Sequence, residues 1–427
     1  VLRIPSFLML WLGQIFSQIA TNMMNFVLIL RVFELTVSNT AVSGIILALN
    51  IPAAFFGLLA GVFVDRRNKK QILIISNVVR SLLLLLLILS PYQLPLIYLI
   101  AFLVSLATQF FIPAEAPMIP KLVSKKMLIP ANALFTTSMY SSVVIGYVLA
   151  GPALHILGST FIFLLLSLLF MVAAVFVSFI QAEKEGRSIG MFFSNLAYRK
   201  RSAKIYLSTL TWDLKEGYLL LKKSKEVFTS LLLLSFSQVI ILVLGALLPG
   251  YATTVLNIAA EDLSFFIFAP AALGMVLGAL LVGQVAQRFS SRFLINVGTL
   301  ASGLLIFILP FSNRYVSKFL VLNINNVLPQ ALEIDLLHIV LLIAFLLGTA
   351  NALITVCANA TLQSETHERL RGRVYGAFVS LSALLSILPV ALAGSMADLF
   401  GVGRILTVLG IIIILLGLYR ISRGRYT

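Results

Sequence analysis

Twelve stretches of this chain are each apolar enough and long enough to cross a lipid bilayer, and that pattern restricts the fold more than any single motif. A membrane-spanning helix takes about 20 apolar residues. The runs here are unbroken, as in Leu82–Leu87 within Ser81–Ser90, whereas membrane barrels show weak alternating segments of about 10 residues. Apolar length, together with glycine, proline and charge punctuation, places the spans at 7–33, 41–64, 72–90, 95–112, 131–157, 160–181, 228–252, 263–286, 293–311, 336–361, 374–399 and 402–420. Composition agrees: 60% of the 427 residues are hydrophobic and 11% are charged, against about 25% charged in soluble domains. The expected fold class is all-α and integral to the membrane, with twelve transmembrane helices in two six-helix halves. Phe7–Val32 is too long for the apolar core of a cleavable signal peptide.

Positive charge then orients the spans. With both termini on one face, 26 of the 31 Lys and Arg fall on that face. They include Arg66, Arg67, Lys69 and Lys70 after span 2, Lys121, Lys125 and Lys126 before span 5, and Arg369, Arg371 and Arg373 before span 11. Loops rich in Lys and Arg stay in the cytoplasm, so both termini are expected there. The formal net charge of +16 is spread over every inner loop with no aromatic-interleaved basic groove, which argues against a nucleic-acid partner. The segment 182–227, with Arg199-Lys200-Arg201 and an amphipathic stretch at Leu214–Leu221, reads as a basic cytoplasmic linker at the anionic lipid surface. It joins halves at 1–181 and 228–427. One cysteine, Cys357, leaves no disulfide within the chain and no Cys-rich metal site. His155, His338 and His367 are scattered, and no phosphate-binding Gly-x-x-x-x-Gly-Lys-Ser/Thr run is present. No cofactor and no metal are therefore expected, and ATP is not the direct energy source.

The loop after span 2 reads Gly61-Val-Phe-Val-Asp65-Arg66-Arg67-Asn68-Lys69-Lys70, and about half the chain later the loop after span 8 reads Gly283-Gln-Val-Ala-Gln287-Arg288-Phe289-Ser290-Ser291-Arg292. The repeat makes two parallel halves, one of the transporter architectures. At these residues the chain resembles the major facilitator superfamily, whose loop between helices 2 and 3 is Gly-x-x-x-Asp-Arg-x-Gly-Arg/Lys-Lys/Arg. Gly61, Asp65, Arg66, Lys69 and Lys70 match, while Asn68 stands where the family has glycine; asparagine tolerates a left-handed backbone, so the turn is expected to survive. Phe7-Leu-Met-Leu-Trp11-Leu-Gly13-Gln14, Leu35-Thr36-Val-Ser38, Pro113-Ala114, Ala131-Asn132-Ala133-Leu134 and Leu370-Arg371-Gly372-Arg373-Val374 resemble the macrolide-efflux and enterobactin-exporter branch. That resemblance implies export of amphipathic small molecules from bacteria by proton antiport.

The resemblance also implies a role for the loop: Asp65 would face the N-terminal end of helix 11 and, with Arg66, Lys69 and Lys70, latch the halves in one state. A helix N-terminus carries about +0.5 charge and stabilises a carboxylate; the alternative is a solvated turn with topology charges. Arg80 lies nine or ten residues beyond Lys70, about 14 Å into the bilayer at 1.5 Å per residue. A buried arginine there must find a partner, as a substrate contact or a switch pair, unless it snorkels to the headgroups. Glu115 is the nearest carboxylate to the membrane interior after Asp65, either a solvated helix-end charge or the proton-carrier candidate and partner of Arg80. Gly146, Gly151 and Pro152 match the antiporter motif Gly-x-x-x-Gly-Pro-x-x-Gly-Gly in part, or serve helix packing and a kink alone. Gln14, Gln18, Asn22 and Asn25 form a stripe on span 1. With Asn50, Gln109, Gln238, Asn351 and Asn359 they are candidates to line a cavity for bulky, mostly apolar substrates, while interhelical polar packing accounts for any single one as well. The reading is a secondary active exporter rather than an enzyme, monomeric in the inner membrane and exchanging an amphipathic small molecule for protons, with a lysolipid flippase or an uncoupled facilitator of the same fold as the alternative.

Overall fold

A computed structural model of the chain describes residues 1–65, 67–90, 92–181, 225–286, 288–311, 336–366 and 368–424. The described residues fold as twelve apolar helices long enough to cross a membrane, in the order and number expected. These are α1 (Pro5–Thr36), α2 (Asn39–Asp65), α3 (Lys69–Leu89) and α4 (Leu94–Glu115), then α5 (Pro130–Gly158) and α6 (Thr160–Ser178). After them come α7 (Lys225–Tyr251), α8 (Ala269–Val285), α9 (Ser291–Ile308), α10 (Leu336–Glu365), α11 (Glu368–Phe400) and α12 (Val402–Gly424). Most helices run several residues past the apolar limits read from sequence, because backbone hydrogen bonding continues where side chains turn polar. At the end of α1, for example, Arg31 and Glu34 pair at 3.1 Å. The basic linker 182–227, including its amphipathic stretch, lies almost wholly outside the described residues.

The internal repeat is visible in how the helices begin and turn. Asn68 caps α3 by accepting from the Gln71 N–H at 3.1 Å, and Ser290 caps α9 by accepting from the Phe293 N–H at 3.3 Å. Both caps are extended, with φ −69° at Asn68 and φ −65° at Ser290. The left-handed turn expected at Asn68 is therefore not what forms. The asparagine side chain instead satisfies one of the orphan N–H groups of the helix start, which glycine could not do. Each half also closes with a hairpin turning on one left-handed glycine, Gly158 (φ 71°) between α5 and α6 and Gly401 (φ 88°) between α11 and α12, a backbone that costs glycine nothing.

By packing, the chain forms two compact units. One holds Val1–Leu35, residues from Ile45 through α6, and Gly372–Leu384; the other holds Thr36–Gly44, α7–α10, and residues from Leu385 onward. Helices α2 and α11 thus each give residues to both. In the first unit, Phe7, Leu10, Ile72, Leu73, Phe111 and Ala114 belong to a buried apolar cluster at the end that bears Lys69 and Lys70. In the second, α8 and α10 touch backbone to backbone. A methyl group on Gly274 would strike the Phe345 carbonyl, and one on Gly348 would strike that of Ala271. Small residues let membrane helices approach this closely. Gly348→Val is expected to cost about 1–3 kcal/mol by overpacking and to lower the thermal midpoint in detergent. Gly283→Ala, where a methyl group meets open space, should leave the midpoint unchanged or slightly raised.

Candidate functional site

Arg80 is fully buried on α3 and reaches across to α1 rather than toward the headgroups. Its Nε donates to the Ser76 carbonyl at 3.2 Å, Nη1 to Thr21 Oγ1 at 3.4 Å, and Nη2 to Ser17 Oγ at 3.1 Å and Asn77 Oδ1 at 2.7 Å. The guanidinium carbon sits 4.7 Å from the Phe111 ring centre and 4.5 Å from that of Phe170. Neutral acceptors and two ring faces therefore solvate the cation where water is absent, each ring contributing about 1–2 kcal/mol when desolvated. Glu115, at the end of α4, is 8% exposed. It and Arg80 act on each other electrostatically without forming a direct ion pair. At the position of the second half that corresponds to Arg80 in the repeat stands Ser302, also buried, so the charge belongs to one half only.

In the loop after α2, the helix ends at Asp65, and Arg66 lies outside the described residues, as does Gln287 in the second copy. Gly61 faces open space. Lys70 Nζ donates to the Ile180 carbonyl at 2.7 Å, a basic side chain on the free carbonyls after α6. Lys69 is half-buried at the start of α3. Arg67, which sequence reasoning passed over, is buried and lies 5.5 Å over the Phe63 ring.

The candidate amides share a habit. Asn22, Asn50, Gln109 and Asn359 each donate their NH2 to the carbonyl four residues earlier on their own helix, at 2.8, 2.8, 3.2 and 2.9 Å. Gln14 donates to the Phe135 carbonyl at 3.3 Å, and Asn351 to Ser237 Oγ at 2.7 Å. Asn25 bonds Tyr147, while Gln18 and Gln238 are half-buried. On α5, Gly146 seats α1, since a methyl group there would press on Asn22. Gly151 is buried and Pro152 exposed. An apolar groove of about 430 Å³ among Val243, Pro389, Met396 and Val408 touches none of the amides, and Arg404 is its only charged wall. Among the described residues no group of His, Cys, Asp or Glu is placed to hold a metal.

One carboxylate escaped the sequence reading. Asp398, near the end of α11, caps the start of α2 with both oxygens, inside the second unit. Its Oδ1 accepts from the Asn39 N–H at 2.8 Å and Asn39 Nδ2 at 2.9 Å; its Oδ2 accepts from the Thr40 N–H at 2.9 Å, Thr40 Oγ1 at 2.7 Å and Ser38 Oγ at 2.6 Å. Next to it, Val37 holds φ 49°, a left-handed backbone that costs a β-branched residue about 1–2 kcal/mol. The close approach is made possible by Gly394, where a methyl group would collide with Ser43 and the Asn39 backbone. No local motif announces this contact, since donor and acceptor stand 358 to 360 positions apart.

Twelve membrane helices, a repeated cap, and buried charge in one half define a membrane transporter. The family model described as Major Facilitator Superfamily matches residues 10–389, and the chain belongs to that superfamily. It is 25% identical over 398 residues to the uncharacterized MFS-type transporter YfiS of Bacillus subtilis (strain 168), covering 92% of this chain and 86% of that protein. It is 23% identical over 421 residues to Macrolide efflux protein A of Streptococcus pyogenes, covering 96% of this chain and 93% of that protein. The nucleoside transporter NupG has the same fold, with TM-score 0.70 and 12% identity over 99% of this chain and 100% of that one.

Removing the Asp398 cap should loosen α2 at its start. In Asp398→Ala, backbone amides of Asn39 and Thr40 are expected to exchange with deuterium at least about tenfold faster, since a bond to a charged group contributes about 1.5–3 kcal/mol. Val37→Gly, which removes the strain and keeps the cap, should slow the same exchange.

Proposed function

We propose that the chain is a secondary active exporter of amphipathic small molecules, of the macrolide or siderophore kind, that works by proton antiport. The observation that carries this reading is Arg80 with Glu115. Burying two ionisable groups in a membrane bundle costs several kcal/mol each. Charge kept at such expense belongs to ions or substrates that cross. The half-buried amides of α1, α2, α4 and α10 suit a substrate that is mostly apolar and needs hydrogen bonds without fixed charge. Similarity to Macrolide efflux protein A supports export, and the Lys and Arg distribution supports cytoplasmic termini in a bacterial inner membrane.

In this reading the two ends of α2 have opposite tasks. Asp65, with Arg66, Lys69 and Lys70, latches the basic end in one state. The Asp398 cap holds the other end of α2 to α11 in the alternate state. Transport by rocking of repeats requires such contacts to form and break in turn. The protein acts as a monomer, with a small molecule and protons as its partners and no cofactor.

The test is proton movement in proteoliposomes under an imposed pH gradient, read with a trapped pH-sensitive dye as amphipathic dyes and macrolides are added. Substrate-evoked proton flux is expected, and Asp65→Asn should abolish it. Substrate movement without any proton flux would point instead to an uncoupled lipid-type facilitator.

A further inference from the structure

Gly146 and Pro389 hold the same place in the two halves, each twelve residues before the left-handed glycine of its hairpin, Gly158 or Gly401. Their effects are opposite. Gly146 lets α5 settle onto α1, where a methyl group would press on Asn22 and on the backbone of Ile19 and Met23. In the second unit a proline ring stands at that place on α11, and the corresponding helices, α7, α11 and α12, leave the apolar groove of about 430 Å³. Val243 of α7, only 3% exposed, is its floor. Met396, Phe400, Val408 and Ile412 are exposed along its rim.

The groove has the length and direction of a lipid chain. From Phe400, beside the Gly401 turn, to Pro389 is eleven residues, about 16 Å along α11 and close to half of the roughly 30 Å hydrocarbon core. Ile412 lies eleven residues past the turn on α12, about level with Pro389. The groove therefore runs from one membrane face to the midplane, the depth of a single leaflet. At the face end stands Arg404, exposed and without a hydrogen bond or ion pair among the described residues. The other Lys and Arg described in this unit, such as Arg292 and Arg420, lie at the opposite ends of its helices, so helix orientation does not account for it. Helix stability does not either, since a cation in the first turn of α12 opposes the dipole. A free guanidinium at headgroup depth, over an apolar channel one leaflet long, is complementary to a phospholipid: its phosphate meets the cation and one acyl chain fills the channel.

We propose that this groove is a binding site for an anionic phospholipid of that leaflet, held by its phosphate at Arg404 and by one acyl chain lying between α11 and α12 over Val243. An anionic headgroup is preferred to a zwitterionic one because it brings no ammonium up against the guanidinium. The lipid is resident rather than cargo, since the groove touches none of the candidate amides. It fills the space left open at Pro389, and so does for α7 and α11 what direct contact at Gly146 does for α1 and α5. The site stands on the groove and Arg404 alone and is independent of the exported substrate and of its coupling.

The experiment is tryptophan quenching on the full-length protein in phosphatidylcholine liposomes that contain rising fractions of phosphatidylglycerol with brominated chains. Bromine quenches tryptophan on contact, so a reporter at the deep end of the groove, Ile412→Trp, reads which lipid sits there, as the difference from the chain without the reporter. Half-quenching is expected at a phosphatidylglycerol fraction about tenfold below that of random lipid exchange. Arg404→Gln should return it to the random fraction. Ala393→Phe, which fills the groove and keeps the arginine, should do the same. A second reporter, Leu277→Trp, exposed on α8, should follow random exchange throughout. Random exchange at residue 412, a preference that survives Arg404→Gln, or an equal preference at residue 277 overturns the site. Should Ala393→Phe fail to fold, the Arg404→Gln and Leu277→Trp arms still decide. Relief of the quenching by an added macrolide or amphipathic dye assigns the groove to cargo and overturns the resident lipid.

Discussion

The guanidinium of Arg80 has to be solvated where there is no water, and much of the first bundle answers to that requirement. Four helices supply its shell: hydroxyls from α1, an amide and a carbonyl from α3, a ring from α4 and another from α6. Small hydroxyl residues stand on α1 where leucine would pack better, because an unpartnered charge in hydrocarbon costs more than lost apolar contact. The second half has no such charge to satisfy. Its helices are free to approach through glycine instead, as α8 and α10 do at Gly274 and Gly348. Close glycine packing serves both halves, as Gly146 against α1 shows; the first adds the polar shell of a buried guanidinium.

What was legible in the sequence follows the range of each interaction. Span number and order depend on local apolar length, and the structure returns all twelve. The loop after α2 was readable because its residues are contiguous and its copy recurs beside α9. Arg80 announced itself as a lone charge in an apolar run, and Glu115 as an acid at a span end. Asn68 was read as a substitute for glycine, yet a side-chain oxygen at a helix start has a use of its own as a cap, and that use prevailed. Asp398 had no local signature at all. In sequence it is an acid near the end of a span; its meaning comes from Ser38, Asn39 and Thr40 far upstream. Gln14 was legible only as one amide of the α1 stripe, and Asn77, an acceptor for Arg80, had no local signature.

Charge and strain concentrate at the opposite ends of one helix. At the start of α2 a carboxylate gathers five donors beside a residue in a left-handed backbone. At its finish Arg67 is buried over Phe63 and Lys70 ties α3 to α6. Between them, Gly57 approaches Gln109 and Ser380 with no more than van der Waals room, and Asn50 bonds only its own helix. Near its middle α2 is also tied to α4, through the Ser105 hydroxyl and the Leu49 carbonyl.

The single-residue turns at Gly158 and Gly401 bear on the mechanics in a different way. A flexible connector stores slack, so the helices it joins can slide or separate before the chain is pulled taut. Here α5–α6 and α11–α12 have no spare length, and each pair behaves as a hairpin spring with one stiff bend. Any displacement of α5 drags α6 through the lipid with it, and likewise α12 follows α11. In the rocking motion proposed above, the membrane around these pairs, its thickness and viscosity, would therefore enter the rate.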